Sequence, residues 1–258
     1  HRPGTLVRQQ MRCSLFLTVL TLLVYSPSLF SRQLAIVIDD LGYSFVNGKR
    51  SIDLPGKVTV AILPFAPNSV GLAEYATRKN KEAIIHLPMQ AKSETNQKTE
   101  SPTLNVAMST IQYTIILDTS LSRFPKAKGV SNHMGSLLTE RENLMRLVLS
   151  ATGNHGLYFL DSKTSNQSIA KKVAHQTGVP YVARDFFLDN IKSEKNMKSI
   201  MASAFTSSRK TGGAVIIGHP YKGTLDFLER ELRNLPPDID LVFASQLTTI
   251  DQAAAGLP

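Results

Sequence analysis

The stretch LAIVIDDLGYS, residues 34–44, runs five apolar residues of strand type into two adjacent carboxylates, Asp39 and Asp40, and then a glycine turn. Neighbouring carboxylates repel, so burying both requires a cation or a shared proton. What holds two acids together at the end of a core strand is the question on which fold and function both turn.

Apolar pulses of strand length recur along the chain, at 34–38, 58–63, 83–85, 157–160, 179–182, 214–217 and 241–244, with a weaker one at 129–131. Helix-like segments separate most of them. Thr139-Glu-Arg-Glu reads as a capping box opening a helix with Leu144, Leu147, Val148 and Ala151 on one face and Gly153 as its stop. Ile169, Val173 and Ala174 precede a stop at Gly178, and Met197, Ile200, Met201, Ala204 and Phe205 form a stripe before Gly212-Gly213. Leu225, Leu228 and Leu232 end at Pro236-Pro237. Residues 109–122 carry β-branched residues but lie between strands, and are read as helix. Residues 91–105 are too polar to pack and read as a long surface loop near the site, disordered or a substrate lid. Strand, helix, strand repeated about seven times means a parallel sheet, because each parallel return needs a crossover. That sheet is either closed as a barrel or open and doubly wound.

The 258 residues, 42% of them hydrophobic, suffice for one sizeable core, and a single domain over 33–258 is expected. From Met11 the sequence gives a short basic start, an apolar run over 14–30 and a small-residue exit, the shape of a secretory signal, cleaved or retained as an anchor. Residues 1–32 are therefore expected to be a leader rather than a buried helix of the fold, and the domain to be periplasmic or otherwise exported. Cys13, the sole cysteine, lies in that leader, so the domain has neither disulfides nor Cys-ligated zinc. The formal charge is +9; Arg2, Arg8, Arg12 and Arg32 account for four charges in the acid-free leader, leaving +5 for 33–258. The lysines are scattered and no aromatic and basic residues interleave, which marks a solvated surface rather than a nucleic-acid interface. Membrane contact is expected only through an uncleaved leader, and nothing in the sequence fixes an oligomeric state.

The polar residues at the end of each pulse are more informative: Asp39-Asp40, His86, Asn132-His133, Asp161-Ser162, Arg184-Asp185 and His219. In parallel α/β folds the C-terminal strand ends share one face, so these residues should converge. Singly, each reads as a turn, a cap or a hydrogen-bonded core histidine. Jointly, Asp, His, His and His at matching strand ends are not what unrelated caps produce; His155 and His175 lack that placement. One Asp and two His with a fourth position open to water form a catalytic divalent-metal set, zinc first, with manganese, cobalt, nickel and iron as alternatives. The second carboxylate would stay ionised beside the cation and accept a proton from water, and His219 would protonate a leaving group.

Six ordered motifs, I-D-D-L-G (38–42), H-L-P-M (86–89), G-V-S-N-H-M-G-S (129–136), F-L-D-S-K-T (159–164), R-D-F-F-L-D-N (184–190) and G-H-P-Y (218–221), cover almost all of 33–250. In that order they resemble the divergent polysaccharide deacetylase family (the YibQ group) of the NodB-like carbohydrate esterase superfamily. The resemblance implies an α/β fold, a distorted (β/α) barrel of about seven parallel strands, and removal of acetyl groups from N-acetylated sugars with one divalent metal ion. It implies Asp39 as general base, Asp40 as metal-binding aspartate and His219 as general acid. Ordinary deacetylases carry two ligand histidines one helical turn apart, whereas here Gln90 stands four residues after His86. The ligand set is therefore read as Asp40, His86 and, from the next strand end, His133. Arg184, Asp185 and Asp189 match either the charged group that tunes the base or residues that hold the sheet end together. Asn132 either orients His133 or meets the substrate, and Ser131 stands where the family pattern has a second Asn. The expectation is an exported metal-dependent hydrolase acting on an N-acetylated polysaccharide. A catalytically weak metal-bound protein recognising glycan or an envelope partner is the alternative. A metal phosphoesterase ranks lower, because such sites use more carboxylates and often two metals.

Overall fold

Strands and helices alternate as the apolar pulses require. The computed structural model describes residues 32–93 and 102–249; residues 1–31 of the expected leader and the centre of the 91–105 loop lie outside the described residues. The strands are β1 (Gln33–Leu41), β2 (Val58–Ile62), β3 (Glu82–Met89), β4 (Gly129–Met134), β5 (Tyr158–Asp161), β6 (Tyr181–Ala183), β7 (Phe186–Phe187), β8 (Gly213–Gly218) and β9 (Asp240–Val242). The helices are α1 (Phe45–Ile52), α2 (Ser69–Arg78), α3 (Thr110–Arg123), α4 (Glu142–Asn154), α5 (Ala170–Thr177), α6 (Glu194–Thr211) and α7 (Lys222–Glu231).

The named strands pair in parallel in the order β6-β5-β4-β3-β2-β1-β8-β7, with β9 beside the start of β1. β6 and β7 stand at opposite ends of that path, yet only Arg184 and Asp185 separate them in the chain. The sheet must therefore curl until its ends meet. Arg184 N donates to Asp161 O on β5 (3.0 Å) and Asp185 N to Val215 O on β8 (2.9 Å), which closes a distorted (β/α) barrel. The count of nine among the described residues exceeds the expected seven or so chiefly because β7 is two residues long inside a polar motif and leaves no apolar pulse.

Residues 109–122 are helical, as expected: Ser109 and Gln112 form a capping box at the start of α3. The Thr139 box does not form. Thr139 is buried and its hydroxyl donates to Gly135 O (2.8 Å), so α4 starts at Glu142, and Gly153 falls inside its last turn. The 91–105 segment is not wholly solvated either, since Leu104 is buried and exchanges backbone bonds with Pro88 O and Gln90 N (2.9 and 2.8 Å) at the end of β3.

Strand parity divides the core in two. Leu34, Ile36, Ile38, Ala83, Ile85, Leu87, Val130, Phe159, Ala214 and Ile216 face the helices. Ala35, Val37, Ile84, Leu160, Val215 and Ile217 pack with one another inside the barrel. At the N-terminal end of the barrel, buried Glu82 Oε1 accepts hydrogen bonds from Thr59 Oγ1 (2.9 Å), Tyr158 OH (2.8 Å) and Ser245 N (3.2 Å). These bonds tie the segment after β9 across that end and leave the C-terminal end of the strands for a site.

Candidate metal and catalytic site

Extending the interior parity toward the C-terminal strand ends assigns the site. Positions 35 and 37 face inward, so Asp39 does; 84 gives His86, and 215 and 217 give His219. On β4, Val130 faces the helices, so Ser131 and His133 face in. Asp40 has the wrong parity. Register between β1 and β2 slips between Ile38 and Leu41, and Asp40 adopts φ +60°, so this bulge turns the second carboxylate inward beside the first. A left-handed backbone at a residue with a Cβ costs about 1–3 kcal/mol and concentrates at functional sites. Gly42 completes the turn at φ +136°, where a Cβ would lie 2.5 Å from that of Ala66.

Asp40 Oδ1 lies 2.9 Å from His133 Nδ1 and 3.1 Å from His86 Nε2, and the two nitrogens are 3.3 Å apart. Ligand atoms about 2.0–2.1 Å from a tetrahedral ion are separated by about 3.3 Å. His86 Nδ1 sits 2.8 Å from Ser131 Oγ; with the proton on that nitrogen, Nε2 turns its lone pair to the centre of the triangle. Asp40 Oδ1 and Asp39 Oδ1 are buried with no hydrogen bond of acceptable geometry, although nitrogens crowd the former. Three converging donors and an orphaned carboxylate oxygen fit one divalent cation held by Asp40, His86 and His133. No helical pair of histidines was available to do this. β3 stays extended through Met89, which carries position 90 about 13 Å along the strand from His86. Gln90 instead accepts a hydrogen bond from Val106 N (2.9 Å).

Asp39 and His219 border the triangle. Asp39 Oδ2 is 3.6 Å from His86 Nε2, and His219 Nε2 is 3.9 Å from Asp40 Oδ2. Asp189 holds His219 twice, Oδ1 meeting Nδ1 and Oδ2 accepting from the backbone N, both at 2.8 Å; Thr224 Oγ1 also donates to Oδ2 (2.8 Å). Burial pushes Asp39 upward, relieved only in part by His86. Burial also opposes the charge on Asp40, but His133 and His86 outweigh it and hold that carboxyl well below the usual carboxylate range. For His219 burial disfavours the cation, and the Asp189 carboxylate prevails and raises its pKa.

The remaining candidates brace the rim. Asn132 donates to Met134 O (2.8 Å) and accepts from Ser162 N (2.9 Å), so it fixes the turn beyond His133 without bonding to that ring. Arg184 donates to Ser162 O and Lys163 O (2.7 and 2.9 Å), and Asp185 Oδ2 accepts from Val215 N (2.8 Å). Both hold the barrel closure. Asp161, expected to converge with the rest, has helix-facing parity and binds Ser168 Oγ and Tyr181 OH (2.8 and 3.1 Å) instead. Sequence reasoning gave Ser131 and Thr224 no role, because their hydroxyls carry no signal until pairing places them beside His86 and Asp189.

A family model described as divergent polysaccharide deacetylase matches residues 36–248. The uncharacterised protein YibQ of Escherichia coli (strain K12) is 36% identical over 237 residues, 92% of this chain and 74% of that protein. An uncharacterised protein of Haemophilus influenzae is 36% identical over 227 residues, 88% of this chain and 80% of the relative. The crystal structure of an uncharacterised protein from Agrobacterium tumefaciens C58 shares the fold with a TM-score of 0.79 at 22% identity, covering 83% of this chain and 88% of that one.

Proposed function

This chain belongs to the divergent polysaccharide deacetylase family, and on that footing we propose that it is an exported, metal-dependent amidase that removes acetyl groups from an N-acetylated polysaccharide. The observation that carries the reading is the Asp40, His86 and His133 triangle with a carboxylate and an imidazole at its border. A divalent cation held there, zinc first, would supply Lewis-acid polarisation of the acetyl carbonyl and acidify water. Asp39, whose Oδ1 is unpartnered, takes the proton as water adds to the carbonyl carbon. His219, held by Asp189 through Nδ1, offers Nε2 to the sugar nitrogen; as the C–N bond breaks it gives that amine its proton, leaving acetate and a free amino sugar. Export rests on the apolar run over 14–30.

The test is acetate release from a panel of N-acetylated glycans by the full chain loaded with zinc. Acetate that disappears on chelation and returns with zinc is the expected outcome. Stoichiometric zinc with no acetate from any glycan would instead favour a glycan-recognition protein. A milder prediction concerns the serine behind His86. Ser131→Ala is expected to fold normally and weaken zinc binding about 10- to 100-fold, the usual effect of removing a group that orients a metal ligand. Isothermal titration checks it, and unchanged affinity would free His86 from dependence on Ser131.

A further inference from the structure

Two of the six motifs converge on a single imidazole. Phe187 stacks on His219 with ring centroids 6.1 Å apart and planes 23° apart. Tyr221 lies against it at 5.6 Å and 35°. Each of these rings carries a cation of its own: Arg184 Cζ is 3.7 Å from the centroid of Phe187, and Lys192 Nζ 3.6 Å from that of Tyr221. Arg184 is fixed in turn by the carbonyls of Ser162 and Lys163.

A hydrogen bond and ring contacts constrain different things. The bond from Nδ1 to Asp189 restrains rotation about Cβ–Cγ at one edge of the ring only, and bending of that single bond lets Nε2 drift relative to Asp40. Rings with centroids 5.6 and 6.1 Å from that of the imidazole oppose that drift from its sides. Arg184 and Lys192 each cover one face of a neighbouring ring, Asp189 governs the charge of His219, and the rings govern its aim. We propose that Phe187 and Tyr221 are positioning residues that fix the plane of the His219 imidazole, and that Arg184 and Lys192 hold those two rings in place. In this way Arg184–Asn190 and the end of Gly218–Tyr221 serve one proton donor. The catalytic part of the proposal rests on reading His219 as the general acid; the positioning part does not.

The test compares Tyr221→Leu, Phe187→Leu and Tyr221→Phe in the full chain. Tyr221 is 42% exposed, so its replacement spares the core. Tyr221→Leu and Phe187→Leu are expected to lower kcat about 10- to 100-fold with KM unchanged, the effect of misaiming a reacting group. Tyr221→Phe, which keeps the ring, should restore the wild-type rate. The second readout is ¹³C relaxation of the His219 ring: rigid in wild type and Tyr221→Phe, mobile in both leucine variants. A rigid His219 in both leucine variants would overturn the proposal whether or not the wild type releases acetate. Absence of acetate release from the wild type, with the relaxation pattern as expected, would remove the proposed function and leave the positioning role standing.

Discussion

Asp39→Asn is expected to leave one zinc ion per chain and lower kcat for acetate release by about three orders of magnitude, within the range for loss of a positioned general base. Asp39 lies outside the ligand triangle, with its nearer oxygen 3.6 Å from His86 Nε2, so the exchange removes no proposed ligand. The carboxamide has the same shape and cannot accept the proton. Steady-state rates on the best glycan of the panel, with metal analysis of the same preparation, check the prediction. Full turnover in this variant would remove Asp39 from the mechanism.

Asp40→Asn separates binding from folding. Asparagine tolerates the left-handed backbone about as well as aspartate, so the bulge at φ +60° should survive. The negative charge facing His86 and His133 disappears. Losing a group behind a ligand weakens a metal site about 10- to 100-fold, and losing the charged ligand should exceed that. The variant is therefore expected to be isolated without zinc, to melt like the metal-free wild type and to release no acetate. Zinc retained at one per chain would take Asp40 out of the ligand set.

The fold was legible where burial alone sets the pattern. β1, β5 and β8 are continuous apolar runs because both faces of a barrel strand are covered, and Gly178 and Gly212 end their helices in the left-handed conformation their sequence positions suggest. β7 was not legible, since Phe186 and Phe187 are set by the closure bonds of Arg184 and Asp185 rather than by a run of their own. Thr139 misled because its hydroxyl bonds back to the carbonyl of Gly135, four residues earlier, instead of forward to the first turn of a helix.

In the site, the convergence of Asp39, Asp40, His86, His133 and His219 was readable from strand ends, and the parity of the apolar residues behind them explains four of the five. Asp40 is the exception. Its direction depends on a register slip that hydrophobicity does not encode. The same parity count, with Tyr158 and Leu160 packed inside the barrel, turns Asp161 outward, but the unbroken apolar run of β5 does not reveal which face is which. Ser131 and Thr224 could not be found that way, because their value lies in which strand or side chain stands opposite.

One cation held between two strand-end imidazoles and the inward-turned aspartate would account for both the proposed chemistry and the pairing of buried Asp39 with a second acid. Titrating zinc into the metal-stripped full chain, alongside a His86→Ala, His133→Ala double variant, measures this directly. A single saturable site per wild-type chain and none in the variant is the expected result. Equal zinc uptake by the two proteins would contradict it.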